Sequence, residues 1–479
     1  GDRTGLELIR TLQQKAVAEG IDVFMEVKVL RLLHDADGVV SGLVGYWRPS
    51  GEFVVFKAKA VVMATGGVGK SWMYTSNSWE STGDGHAMAL WAGADLIDME
   101  AVQFHPTGMV WPLSVRGLLV TEGVRGDGGV LRNSEGSRFM FDYIPPMFAA
   151  ETADSEDEGD KWYDDHTAGR RPPELLPRDE VARSINNEVK AGRGSPHGGV
   201  FLDIATRRTA EDIRRRLPSM YHQFKELAGV DITAEAMEVG PTCHYIMGGI
   251  RVDADSTATT VDGLFAAGEA AGGMHGANRL GGNSLSDLLV FGRRAGIGAA
   301  DFALDRSGSV ALDEGQINAA IDAAVVPFNR EHGENPYDIQ HDLQATMQSL
   351  VGIIRTGPEL EEALGKLEEL EERATRVSLG GGQRYNPGWN LTTDLPSMLT
   401  VSRCTALGAI NRKESRGGHT RDDFTKPTEE MGTVNFVERI IAGGGEGVGG
   451  TPSIRTITVT PEPIPVMPDD LNELFEEAT

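Results

Sequence analysis

The sequence predicts an α/β fold spread over more than one domain. Three observations carry this reading. A helical opening runs into strand-like segments, a short apolar strand stops at a glycine turn, and a second strand-to-helix passage recurs much later in the chain. At 479 residues the chain exceeds what one core usually fills, about 250–300 residues, so two or three domains are expected.

In order, residues 5–18 carry apolar side chains at helical spacing, and Gly20 stands where a helix would end. Strands are expected over 22–29, 39–46 and 53–58. A continuous apolar run, 60–63, reads as a buried strand before Ala64-Thr65-Gly66-Gly67. Residues 151–165 hold eight acids and are followed by Arg170-Arg171-Pro172-Pro173, so 141–177 reads as a solvated surface insertion. A further βα passage falls at 263–269. Residues 284–302 then read as a long helix, with Ser284 and Asp287 spaced like a capping box. Helical patterning dominates 313–374, and Leu360, Leu364, Leu367 and Leu370 mark a packed helix too short for a coiled coil. Beyond Ala442 come glycines 443–445 and a β-like, proline-rich tail. The opening residues read like the middle of a domain, so a segment ahead of Gly1 is expected.

Composition removes several functions. A net charge of −26 excludes nucleic acid as a partner, because phosphate binding needs a basic face. It also means that an anionic substrate must be held by a few local cations. No apolar run reaches the roughly 18 residues that a membrane-crossing helix needs. Two cysteines, Cys243 and Cys404, cannot build a disulfide framework, a four-thiolate zinc site or an iron–sulfur cluster, which favours an intracellular compartment. Glycine, 60 residues or about 12.5% against a usual value of about 7%, points to tight turns and close approach of backbone to a ligand. One motif misleads: residues 64–71 nearly fit a phosphate loop, but 72–85 is rich in Ser, Asn, Thr and Gly where that loop needs an amphipathic helix.

Five segments look over-specified for structure alone. They are Gln103-Phe104-His105-Pro106-Thr107-Gly108, Thr121-Glu122-Gly123-Val124-Arg125-Gly126, Arg178-Asp179-Glu180, Pro241-Thr242-Cys243-His244-Tyr245-Ile246-Met247-Gly248-Gly249, and His275-Gly276-Ala277-Asn278-Arg279-Leu280-Gly281-Gly282-Asn283-Ser284-Leu285. Each presents His, Arg or Glu beside Gly or Pro, where side chains are displayed more than packed. Singly, each has a plain structural reading: a satisfied loop histidine, a local ion pair, a helix cap. Jointly, two His and two Arg could grip both ends of a dicarboxylate, Arg by its bidentate fork.

In this order the five segments resemble the flavoprotein subunits of succinate dehydrogenase and quinol:fumarate reductase. The resemblance runs from Gly1 through Glu414-Ser415-Arg416-Gly417-Gly418-His419 and less clearly to the C-terminus. It implies an FAD-binding Rossmann-like domain, incomplete at its N-terminus, over 1–97 and 235–304. An α+β capping domain (98–234) is inserted in it, and a helical domain (305–425) and a small C-terminal domain (426–479) follow. It implies that FAD oxidises succinate to fumarate, or the reverse, a reaction of the tricarboxylic acid cycle. Electrons would pass to an iron–sulfur subunit that holds all the clusters, and then to quinone through membrane anchor subunits. The chain would sit peripherally on the cytoplasmic face of the bacterial inner membrane through these partners.

Residue by residue, His105 and Thr121 match ligands of one substrate carboxylate, and His244 and Arg279 ligands of the other. Arg178 matches the family's proton-transfer residue, with Glu122 and Arg125 as its relay to solvent. An arginine in that role is chemically demanding, since its pKa lies above about 12, but a desolvated site crowded with cations disfavours its protonation. Thr65, Gly66, Gly67 and Asp84 match FAD-contacting turns, and Glu269 matches an FAD-contacting acid. Ser284 and Leu285 open the long helix whose positive end would face the flavin. The G-x-G-x-x-G turn and the tethering histidine of many relatives are absent from these residues, so covalent and non-covalent FAD both stay open. The insertion over 141–177 is longer than in the commoner relatives and similar to the actinobacterial branch. L-aspartate oxidase is the alternative, although its usual Asn-Arg-Leu-Ala-Ser-Asn-Ser-Leu differs from this chain at Gly281-Gly282. A non-catalytic flavoprotein fragment is a further reading, opposed by the presence of every matched catalytic side chain.

Overall fold

Valine- and leucine-rich runs separated by Asp35–Gly38 and Pro49–Gly51 turns fold the first part of the chain into an antiparallel meander. It comprises β1 (Val27–His34), β2 (Val40–Trp47) and β3 (Phe53–Lys57). Gly38 and Gly51 take left-handed φ of 81° and 80°, which a residue with a Cβ rarely adopts. Asp35 Oδ1 accepts the amides of Asp37 and Val39 at 3.0 Å, closing the first turn. The computed structural model describes residues 4–441 and 445–466, so the glycine run at 443–445 lies outside the described residues except for Gly445.

Ahead of the meander, α1 (Thr4–Ala18) forms as its periodicity predicts, and Gly20 ends it in left-handed conformation. None of the described residues of this helix is buried. The strand expected over 22–29 instead begins at Val27. Glu26 adopts a left-handed φ of 61°, which breaks the extended run, and pairing with β2 starts one residue later and continues to His34. The apolar run at the Thr65 turn is β4 (Val61–Met63), paired in parallel with β11 (Leu264–Ala266). Only a single 3-10 turn, Gly69–Ser71, follows it before α2 (Asp84–Trp91), which starts after the irregular stretch 72–83.

A second sheet has the order β6 (Val102–Met109), β9 (Met237–Ile246), β8 (Val200–Asp203), β7 (Val130–Arg132). Around it lie α3 (Gly123–Gly126), α4 (Glu156–Asp164), α5 (Arg178–Lys190), α6 (Ala210–Arg216) and α7 (Pro218–Gln223). A third sheet joins distant segments: β10 (Gly249–Ile250), β5 (Leu96–Ile97), β12 (Val434–Ile440) and β13 (Ile457–Pro463).

The 141–177 segment is solvated over residues 154–157 and 164–168, as expected, but is anchored at its ends and along α4. Thr152, Ala153 and Pro173–Leu176 are buried, and α4 is tied down by ion pairs from Arg138, Arg207 and Arg208 to Asp160 and Asp164. Asp160 and Asp164 pair with arginines from neighbouring elements, while Asp154 and Glu158 pair with Arg170 of the same segment and Asp157 with Lys161.

The long helix α8 (Asn283–Asp305) forms as expected, but its capping box does not. Gly282 occupies the N-cap with φ of 82°, no side chain caps the helix, and Ser284 Oγ instead accepts from Arg279 Nη1 at 3.2 Å. The helical region holds α9 (Glu314–Val325), α10 (Pro336–Leu350) and α11 (Gly357–Ala374), with Leu360, Leu367 and Leu370 buried as their spacing predicts. It ends in α12 (Pro387–Asn411), apolar on nearly every side and buried for most of its length.

Two apolar cores result. One gathers Met63, Trp72, Leu96, Phe104 and Ile246 with Leu343, Leu360, Leu399 and Ile457; the other lies wholly within residues 109–239. The strand pair β6–β9 belongs to both, since Phe104 and Cys243 pack into the first and Met109 and Val239 into the second.

Candidate active site

Where the two cores meet, β6 and β9 do not keep a regular ladder. Gln103 pairs with Tyr245 but Phe104 pairs with Cys243, leaving His244 as an extra residue on β9. His105 pairs with Thr242 and Gly108 with Gly240, leaving an extra residue on β6 next to Pro106. Each irregularity is a β-bulge, which redirects a side chain and accommodates a proline. Together they turn His105 and His244 toward each other, with ring centroids 5.5 Å apart and planes at 65°. Ser76 Oγ holds His244 Nδ1 at 2.7 Å, and His105 Nδ1 accepts the Thr107 amide at 3.3 Å.

The chain after β6 doubles back along it. Val120 donates its amide to the Thr107 carbonyl at 2.9 Å, which returns Thr121 toward His105 and opens α3. Glu122, beside it, accepts from Arg178 Nε at 3.0 Å and stands 4.0 Å from Arg125 Nη2. Arg178 begins α5, and its guanidinium lies against the turn before α8: a Cβ on Gly281 would sit 3.4 Å from Nη2. On that turn Arg279 is buried, donating to Gln103 Oε1 at 2.9 Å and lying over the Tyr245 ring at 4.4 Å. Thus His105, Glu122, Arg125, Arg178, His244 and Arg279 converge on one place, with Thr121 next to Glu122 in the chain.

The cluster is electropositive, and its members make one another harder to protonate. Burial pushes His244 down to about 4, with Arg279 and Arg178 adding to it. His105 lies well below its ordinary value through burial, then through His244, Arg125 and Arg178. Burial lowers Arg125 to about 10 and also lowers Arg279. Sequence reasoning missed three supports: Gln103, which orients Arg279; Tyr245, which faces it; and Ser76, which orients His244. Gln103 stands two residues before His105 on one strand, a signal that could have been read; Ser76 offers none.

On the far side of β6–β9, β4 opens into a cavity of about 570 Å³ lined by Val61–Met63, Thr65, Thr82, Asp84 and Met88, with Lys28 and Asp394 in its wall. That volume is ordinary for a cofactor cleft. The glycine turns are fitted to their neighbours: a Cβ on Gly67 would lie 2.2 Å from Glu269 Oε1, and one on Gly85 would lie 1.9 Å from Thr65 Oγ1. Gly66, at φ of 73°, faces open space. Burial raises Glu269 to about 7 against the opposing Ile246 amide, which donates to it at 3.1 Å. Of the expected cofactor residues, Thr65 and Asp84 line this cavity, while Gly67 packs against Glu269. Asp84 is less free than expected, since its carboxylate pairs with Lys28, which also binds Asp394. Ser284 and Leu285 stand in the first turn of α8, and Ser284 is joined to the cationic cluster through Arg279.

Comparison with known proteins gives a consistent picture. A family model described as an FAD binding domain matches residues 1–285, and one described as fumarate reductase flavoprotein C-term matches 340–470. A fumarate reductase (CoM/CoB) subunit of Methanothermobacter marburgensis is 41% identical, covering 90% of this chain and 73% of the relative. The fumarate reductase flavoprotein subunit of Escherichia coli is 39% identical over 92% of this chain and 71% of its own. Among solved structures, Sdh1 of Mycobacterium smegmatis, in complex with UQ1, superposes with a TM-score of 0.84 at 52% identity, over 100% of this chain and 76% of that one.

Proposed function

The chain belongs to the family of succinate dehydrogenase and fumarate reductase flavoprotein subunits, and from this we propose how its own residues carry out the family's reaction. It is an FAD-dependent oxidoreductase that interconverts succinate and fumarate, the iron–sulfur clusters belonging to a separate subunit. The observation that carries the assignment of residues is the convergence of two histidines and three arginines at the paired bulges, with Glu122 as the carboxylate ion-paired to them among the described residues.

A dianionic substrate fits such a cluster. His105 and Thr121 hold one carboxylate, and His244 and Arg279 the other. Bound FAD supplies hydride exchange with one methylene carbon. Arg178 exchanges a proton with the neighbouring carbon. Glu122 bonds to Arg178 and faces Arg125, and so passes that proton along. Thr65, Gly66, Gly67 and Glu269 hold the cofactor from the β4 side, Asp84 supports that wall through Lys28, and Ser284 and Leu285 present the positive end of α8 to it. The cofactor domain is read as residues 1–97 and 235–304, the capping domain as 98–234, the helical domain as 305–425 and the last domain as 426–479; the separate core within 109–239 supports the second of these.

The chain's direct partner is an iron–sulfur subunit, which links it to membrane anchor subunits and quinone on the cytoplasmic face of the inner membrane. No described helix is long and apolar enough to cross a membrane. Succinate oxidation by the full-length flavoprotein with an artificial dye as acceptor tests the activity. Turnover with succinate is expected; turnover only with L-aspartate and oxygen would replace this reading with the oxidase.

A further inference from the structure

Two segments marked out by the sequence meet in the structure. Arg183, five residues beyond Arg178 on α5, donates from Nη1 to Thr420 Oγ1 at 3.1 Å, the residue that follows Glu414–His419. The same guanidinium pairs with Asp179 at 3.3 Å and with Glu180 on its own helix. It therefore links two parts of the molecule. Helix α5 packs Val181 and Ile185 into the core within 109–239, whereas Thr420 lies in the loop after α12.

That loop is built to hold its shape. Arg416 and His419 exchange amide–carbonyl hydrogen bonds at 2.8 and 3.0 Å, closing a tight turn over Gly417 and Gly418. Buried His419 accepts from Arg355 Nη1 through Nδ1 at 3.0 Å, so its Nε2 carries the hydrogen and donates it to the Arg412 carbonyl at 3.1 Å. Arg355, fully buried, also donates to the carbonyls of Gly352 and Glu100 at 2.9 and 2.8 Å. Its amide donates to the Thr420 carbonyl at 3.1 Å, which fixes the residue that receives Arg183.

The other side of the tight turn rests on the segment carrying Arg279. Gly418 donates its amide to the Ala277 carbonyl at 2.8 Å, and a Cβ on Gly417 would lie 2.3 Å from that oxygen. Glycine, here at a left-handed φ of 55°, lets the two backbones approach this closely. Arg279 stands two residues beyond Ala277, and Gly281, against which the Arg178 guanidinium lies, four beyond. The contacts close a ring: from the loop to Ala277, along the turn to Gly281, across to Arg178, down α5 to Arg183, and back to the loop at Thr420. We propose that Arg183 and Thr420 are positioning residues, a latch that holds α5 so that Arg178 keeps its place relative to the Arg279 turn. The proposal rests on the reading of Arg178 as the proton-transfer residue. The carboxylate ligands His105, Thr121, His244 and Arg279 are not part of the latch, so its loss slows proton transfer and leaves the grip on the dianion.

Thr420→Val in the full-length holoenzyme tests this, because the shape stays and the acceptor goes. The expected result is a fall in kcat for dye-linked succinate oxidation on the order of 10-fold, the loss of one hydrogen bond to a charged group. KM for succinate and the malonate inhibition constant should match wild type, and flavin absorbance shows that the variant is folded. Thr420→Ser, which keeps the hydroxyl, should restore kcat. Arg183→Met should also lower kcat, and the double variant should fall no further than Arg183→Met, since both changes remove one contact. Wild-type kcat in Thr420→Val overturns the proposal, as do a Thr420→Ser variant equally slow and losses that multiply in the double variant. Malonate binding weakened in step with kcat also overturns it, as the mark of a merely structural effect. If Thr420→Val fails to hold flavin, Arg183→Met decides by the same kcat and KM readings. Arg178→Lys is the control: retained turnover there removes the proton-transfer reading, whereas lost turnover there with a silent Thr420→Val removes only the latch.

Discussion

The two halves of the site solve opposite electrostatic problems. On the substrate side, five cationic or titratable basic groups gather around Glu122, and the local charge stays positive until a ligand arrives. On the cofactor side the arrangement is inverted. Lys28 is held between Asp84 and Asp394, which raises its affinity for a proton against the cost of burial, and burial lifts Asp394 to about 6. The difference teaches what each half asks of its ligand. The cationic cluster suits a dianion, whereas the acids of the cavity wall are neutralised from within by Lys28.

Four changes would break or sharpen this contrast. The largest effect is expected from Arg178→Lys, with turnover falling by about 10²–10⁴-fold while flavin absorbance is retained; dye-linked succinate oxidation measures it. Lys28→Met leaves Asp84 and Asp394 without their cation and should cost about 3–5 kcal/mol of stability in denaturant unfolding. KM for succinate should not change, and a shift there would show that the two halves are not independent. Arg279→Ala should weaken malonate binding by about 2–5 kcal/mol, read from inhibition constants, with the flavin spectrum unaltered. The smallest effect separates the halves by the sign of a slope. Glu269 is raised to about 7 in the fold, so its contribution is present below its unfolded value and is lost as pH rises through about 7. His244 is lowered to about 4, so its contribution is present above its ordinary value near 6.5 and is lost as pH falls through about 4. Denaturation midpoints against pH should lose the first slope in Glu269→Gln and the second in His244→Gln.

Much of this was legible in the sequence where local chemistry and fold agree. The strand at Val61–Met63 ending in a glycine turn, the long helix from Asn283, and the leucine spacing of α11 all form as their patterns predict. Where tertiary contacts decide, sequence reasoning fell short. Helix α12 is apolar on nearly all sides, contains Pro396 and lacks the one-sided periodicity that marks a surface helix. Ser284 carries a capping residue's chemistry, but Arg279 claims its hydroxyl. The acids of 141–177 imply solvation, yet Asp160 and Asp164 are also paired with Arg138, Arg207 and Arg208 from elsewhere in the chain. Each matched residue of the cationic cluster sits in a short, chemically loaded segment, whereas Ser76 carries no such local mark.

The paired bulges also say how this protein tolerates changes in length. The extra residue at His244 shifts the pairing of β6 and β9 by one, and the extra residue near Pro106 restores it, so Val102 with Ile246 and Met109 with Val239 keep the same alignment. Losing one residue from a single strand would leave everything beyond it facing the wrong side, one core's side chains turned toward the other's surroundings. Losing one from each would rebuild an unbroken ladder that keeps both cores intact and no longer aims the histidines at each other. Foldability and chemistry are therefore separable in this sheet, and the register offset between the two bulges encodes only the second.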